Sequence, residues 1–458
     1  MSFCMHTKPY MKYFRAGAAA LMLVSASQAV AQLGQFNPPA GPRSTYVIKN
    51  ARIVPVSGAE IVTGSVVISA GKITAVGVNV TAPANAQVID GTGLSIYPGL
   101  MDAGTTMGLS EISQGAPATV DASEVGNFNP NAQAFYGVNP TSAHIGVTRV
   151  VGITHVLSRP TGGIVSGQAV MMNLAGSTAP EMVVEQHAAM MVSLPRSGFG
   201  GRGGGGGFAA ATANPANNTQ DVNRTRTRQL DSLRQMLRDA DAYAKSFEAY
   251  GKDNTLPRPA QDVVMASLVD AARGKMPVIF MADRPTDIKE AIAFAEEMKL
   301  KPVILGGSDA WQIAPFLKQH NVPVLLTGIM DLPSREDDPY DVNFAAPSKL
   351  KEAGVTFAIT SGDAGAEARN LPYTAGMAAA FGLSKDDALR SVTIWPAQIL
   401  GYADKLGTIE VGKMANLVVT NGDILEARTE TKFLFIDGRP VPLDSKHSEL
   451  FKQFKDRP

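Results

Sequence analysis

The sequence predicts an α/β protein, a (β/α)8 TIM-type barrel carrying a small β-sandwich formed by both chain ends. Three observations lead there. The middle of the chain alternates strand and helix patterns, both ends are rich in short β runs, and 458 residues suffice for one barrel plus a smaller domain. The strand patterns are Pro277–Met281, Lys301–Leu305, Val322–Leu326 and Val355–Ile359. The helix over 287–298 shows apolar spacing at Ile288, Ala291, Ile292 and Ala295, and further helices are expected over 310–320, 373–381 and 384–392. A doubly wound sheet is the weaker alternative, because no Gly-x-Gly-x-x-Gly turn follows an early strand.

Residues 1–31 read as a signal peptide. Lys8, Lys12 and Arg15 precede the short apolar run Ala16–Ala26, and Ala29-Val30-Ala31 offers a cleavage site. Either Met1 or Met11 could be the start. The run is too short for a membrane span, so the expected location is outside the cytoplasm, in the periplasm. Cleavage leaves 38 basic and 41 acidic groups, about −3 net, with no basic run to suggest nucleic acid. It also removes Cys4, the only cysteine, and with it any disulfide or thiolate chemistry.

A Pro/Gly-rich linker spans 32–43, the first sandwich portion 44–97 and the barrel 98–402. The second sandwich portion spans 403–445 and a tail 446–458. Gly71-Lys72 is an expected hairpin turn. A Gly-rich insertion over 198–218 reads as a surface loop, since no Gly-Lys-Ser/Thr follows it. A charged helix with apolar positions at Leu230, Leu233, Met236 and Leu237 is expected outside the barrel.

The chemistry turns on Pro98-Gly99-Leu100-Met101-Asp102, followed by Gly104 and Thr106. This frame resembles the Pro-Gly-Leu-hydrophobic-Asp-x-His-x-His strand end of the amidohydrolase superfamily. Alternate side chains of a strand share a face, so the family's two histidines address one metal ion. Here their positions hold Gly104 and Thr106. The segment Phe280–Ile288 is similar to the family's His-Ala-His-Arg-x-x-Asp-Ile, with Met281 and Asp283 at the histidine positions. Leu305-Gly306-Gly307-Ser308 is similar to Glu-His-Gly-Thr, with Gly306 at the ligand position. Only the strand-eight carboxylate is matched, by Asp363 in Thr360-Ser361-Gly362-Asp363. The run Gly382–Thr393, with Pro396-Ala397-Gln398-Ile399-Leu400-Gly401, resembles imidazolonepropionase-like, often exported, members. The likeness extends over roughly Thr45 to Leu443. The family usually has Asp where this chain has Asn416.

Two functions remain open. The resemblance implies a hydrolase of non-peptide C–N bonds of cyclic amide type, with zinc or another divalent cation as cofactor. Asp363 would then be the surviving ligand and general base, aided by His155 and Asp102. The missing ligands imply instead an inactive homologue, a possible pseudoenzyme. That homologue would bind a small molecule, associate as a homo-oligomer, or serve as partner subunit of an active amidohydrolase paralogue. Catalytic zinc usually takes three protein ligands. His144, His155, His187, His320 and His447 form no His-x-His spacing. His155 sits in a strand pattern where a hydrogen-bonded structural role competes with acid–base work. His320 ends a helix, where its charge could cap the carbonyls. Arg159, Gln168, Arg284 and Glu111 are the candidate ligand-binding residues. Carboxylates at the strand ends could also hold a hard cation, or pair with Arg149, Arg159 and Arg284.

Overall fold

The computed structural model describes residues 38–112, 116–195, 215–362 and 365–457. The signal segment, residues 32–37 of the linker, residues 198–214 of the Gly-rich insertion and Asp363 lie outside the described residues.

Two sheets organise the described chain. The first joins β1 (Tyr46–Ile53), β2 (Ile61–Ser69), β3 (Lys72–Gly77), β4 (Gln87–Asp90) and β5 (Ser95–Pro98) with three strands from the far end. Those are β14 (Leu417–Thr420), β15 (Thr431–Ile436) and β16 (Arg439–Pro440). The two ends meet where β5 runs antiparallel to β14, with Tyr97 opposite Val418. Ile48, Ile68, Ile73, Ile96, Leu417 and Phe435 fill the core of this unit, as β-branched and aromatic residues on one pleat face should. The β2–β3 turn is Ala70-Gly71, one residue before the expected pair: Ser69 faces Lys72, and Ala70 and Gly71 both have positive φ.

The second sheet is the barrel. Its strands are β6 (Leu100–Thr105), β7 (Ile153–Ser158), β8 (Val165–Asn173), β9 (Val183–Val192), β10 (Pro277–Ala282), β11 (Lys301–Gly306), β12 (Val324–Leu326) and β13 (Phe357–Ile359). They follow one another in chain order. Helices Pro285–Glu297, Ala314–His320 and Val342–Glu352 connect the strands from β10 to β13 as the alternation predicts. The regular repeat fails at β8, which is antiparallel to both β7 and β9. The segment 159–164 reverses the chain in a tight turn, with Gly162 and Gly163 at φ 86° and 65°, and leaves no room for a crossover helix.

Inward residues Met101, Leu157, Met171, Met191, Ile279 and Leu305 give the barrel an apolar interior. Helix Ile394–Leu400 closes its base, continuing that cluster through Ala397, Ile399 and Leu400. The block read as a family marker packs and caps. Ser384 accepts the N–H of Asp387 at 3.1 Å and starts helix Lys385–Ser391. The long helix Pro215–Lys252 buries Leu230, Leu233 and Leu237. Arg234 ties it to Glu297 at 2.9 Å.

Candidate functional site

Sites of such barrels gather at the C-terminal strand ends, so the strand that leads there comes first. Gly99 joins β5 to β6, where nothing larger fits. A Cβ at this position would lie 2.0 Å from Thr154 Oγ1. Asp102 follows, fully buried. Its carboxylate accepts the hydroxyls of Thr360 and Ser361, the backbone N–H of Ser361 at 3.2 Å and that of Gly104 at 3.4 Å. Burial pushes this carboxyl above the usual carboxylate range, against the pull of its donors. Strands β6 and β13 are the two ends of the sheet path, so these bonds bridge the seam of the barrel.

Gly104 faces the lumen. A Cβ here would lie 3.0 Å from Leu305 Cδ1 and 3.4 Å from Thr360 Oγ1. Leu305 therefore covers the space into which a histidine at 104 would project. Thr106, two residues on, is also buried. Gly306 has φ +108°, and a Cβ there would sit 2.5 Å from Asp283 Oδ1. Backbone conformation and the Asp283 carboxylate both exclude a side chain at 306.

Arg159 is 1% exposed. Its backbone N–H donates to Thr105 O at 2.9 Å, extending the ladder past the end of β7. Its Nη1 lies 3.7 Å from Met281 Sδ. Strands β7 and β10 are separated by β8 and β9, so this contact crosses the lumen.

The other expected residues are dispersed. Gln168 is buried and donates to Pro130 O at 3.1 Å, holding the loop that follows β6. Glu111 lies on that same loop; its carbonyl accepts from His144 Nε2 at 2.9 Å, and its carboxylate is 4.0 Å from the same nitrogen. Arg284 is exposed at the start of helix Pro285–Glu297. His320 meets Glu296 at 2.5 Å. Arg149 is buried at the end of helix Ala143–Arg149, donates to Pro38 O at 3.3 Å, and is brought down to about 10 by burial.

His155 lies near the N-terminal end of β7, at the barrel base. Two groups meet its Nδ1, Thr154 Oγ1 at 2.6 Å and Asn416 Nδ2 at 3.4 Å, and Asn416 fixes the direction. Asn416 Oδ1 accepts the N–H of Asp437 at 2.7 Å, so its Nδ2 is the donor, at 2.8 Å to Asn173 Oδ1 and 3.4 Å to His155 Nδ1. The imidazole thus accepts at Nδ1 and carries its proton on Nε2, which has no partner among the described residues. Burial brings His155 down to about 3, so it is neutral at physiological pH.

Zinc requires nitrogen, thiolate or carboxylate ligands in tetrahedral array. The strand-end positions offer Gly104, Thr106, Met281 and Gly306. Among the described residues no three His, Cys, Asp or Glu side chains converge on a metal-sized space. Among the described residues this donor set does not fit a family-type metal. The sequence reading missed a cleft of about 410 Å³ beside the mouth, lined by Asp121, Glu124, Asn129, Asn131, Gln133 and Tyr136. Only folding of the loop after β6 assembles it, and its Asn/Pro-rich run reads as ordinary turn sequence.

Comparison with known proteins returned several likenesses. The profile of the amidohydrolase family matches residues 290–442. The amidohydrolase tasK of Hapsidospora irregularis is 24% identical over 415 residues, which is 85% of this chain and 41% of that protein. The chain therefore spans well under half the length of that curated relative. The crystal structure of an amidohydrolase from Thermotoga maritima MSB8 superposes with TM-score 0.75 at 26% identity, covering 87% of this chain and 99% of that one. A prolidase complexed with N-methylphosphonate-L-proline gives TM-score 0.52 at 19% identity, with 87% and 99% covered, a likeness of fold alone.

Proposed function

From the premise that this is an amidohydrolase-family protein, we propose that it is a non-hydrolytic homologue acting as partner subunit to an active amidohydrolase. One observation carries this reading. The chain's own side chains pack the strand ends where the family's ligands are expected: Leu305 over Gly104, Asp283 over Gly306, and Arg159 against Met281. The signal-like segment would send the protein to the periplasm, and its partner would be exported with it.

The test has two measurements. Elemental analysis of the purified mature chain, offered zinc, manganese and calcium and then dialysed, should find no stoichiometric transition metal. Affinity capture from the source cells should recover a histidine-complete amidohydrolase. A tightly held transition metal, with chelator-sensitive turnover of a cyclic amide, would overturn the reading. It would favour instead a hydrolytic member of the family whose profile matches residues 290–442, with the cyclic-amide chemistry that the sequence resemblance implies, in which Asp363→Asn should abolish activity.

A further inference from the structure

We propose that Arg159 is the resident cation of the barrel mouth, a covalently attached positive charge that organises the strand ends without a bound metal. The proposal rests on the non-hydrolytic reading and says what has taken the metal's structural place.

Three observations carry it. The first is direction. Leu157 is in the lumen cluster and Val156 in the outer one, and strand alternation aims Arg159 inward with Leu157. The Met281 contact across two intervening strands agrees. The second is the break in pattern. The middle of the lumen is apolar, at Met101, Leu157, Ile279 and Leu305, between His155 at the base of β7 and the mouth. At the mouth, one residue past the end of β7, the same face turns to a guanidinium. The third is burial. A guanidinium that is 1% exposed has lost most of its hydration, a cost of several kcal/mol unless oxygen groups compensate. A buried guanidinium held by partners of its own points to a position that uses charge as well as volume. Asp283 is two residues beyond Met281, half-buried and packed on Gly306, and supplies negative charge at the same strand ends.

Chemical rescue separates charge from volume. Arg159→Ala should lower the melting temperature by roughly 5 °C or more. Millimolar ethylguanidinium should restore at least half of that loss saturably. Its neutral counterpart N-ethylurea should not, and neither should move the wild type comparably. Arg159→Lys should be more stable than Arg159→Met, a comparison that decides the matter if the alanine variant does not fold. Equal rescue by both probes, or Arg159→Met as stable as Arg159→Lys, would overturn the proposal. Metal-dependent turnover by the wild type would defeat the non-hydrolytic reading instead, whatever the rescue shows.

Discussion

Asp102 Oδ1 accepts the backbone N–H of Ser361 at 3.2 Å across 259 residues of sequence, joining the first and last strands of the barrel. The side chains of Ser361 and Thr360 donate to the same carboxylate. The aspartate of the motif is thus the clasp of the seam. Asp102→Ala should destabilise the protein by about 3 kcal/mol, because it strands buried donors and opens the seam. Urea unfolding checks this; a loss within about 0.5 kcal/mol, as at an ordinary surface site, would contradict it.

Acid stability should carry the mark of His155. The unfolded chain takes up this proton near 6.5, whereas the folded chain resists it to about 3. Protonation therefore favours unfolding. The contribution is complete above about 6.5 and is lost at about 1.4 kcal/mol per pH unit on the way down toward 3. Unfolding free energies between pH 7 and 4 should slope more steeply in the wild type than in His155→Gln. Parallel curves would refute the assignment.

Asn416→Asp introduces beside His155 the acid that the sequence resemblance implies at this position. It removes the donor to Asn173 Oδ1 and sets a carboxylate beside the imidazole. The pair should raise the His155 titration toward neutrality, visible in the imidazole proton shifts by NMR, and lower stability at pH 8 more than at pH 5.5. An unchanged titration would show that Asn416 does not govern the ring.

Gly99→Ala should be among the most damaging single-methyl changes in this chain, since the added carbon meets Thr154. A loss of about 3 kcal/mol is expected, partly recovered in Gly99→Ala/Thr154→Gly. Strictly additive losses in the double mutant would mean that the two residues do not compete for one space.

Chelation should leave the folded protein unmoved. With Arg159 supplying the mouth's charge, EDTA should shift the melting temperature by less than about 1 °C, because only a ligand bound to the native state adds stability. A larger drop would point to a resident metal.

Much of the architecture was legible locally. The alternation from Pro277 to Ile359, the paired β-rich ends and the helix read over 287–298, observed as Pro285–Glu297, follow from periodicity, which each segment carries alone. The reversal at β8 was not legible, because its glycine turn reads as a loop until its pairing is known. The candidate site divided the same way. Glycine, threonine and methionine at 104, 106, 281 and 306 were read directly from the chain. That Gln168 holds a loop, and that Glu111 sits with His144, depended on contacts 38 and 33 residues away.

The sequence by itself determined the superfamily frame, the alternating elements and which residues, Gly104, Thr106, Met281 and Gly306, stand at the strand ends, since these reside in residue identity and short-range spacing. Only the tertiary structure decided what stands in their place. Asp102 meets Thr360 and Ser361, Arg159 reaches Met281, and His155 sinks to the base beside Asn416. Each of these depends on how strands far apart in sequence close into a ring, and closure sets which layer and which neighbour an inward side chain acquires.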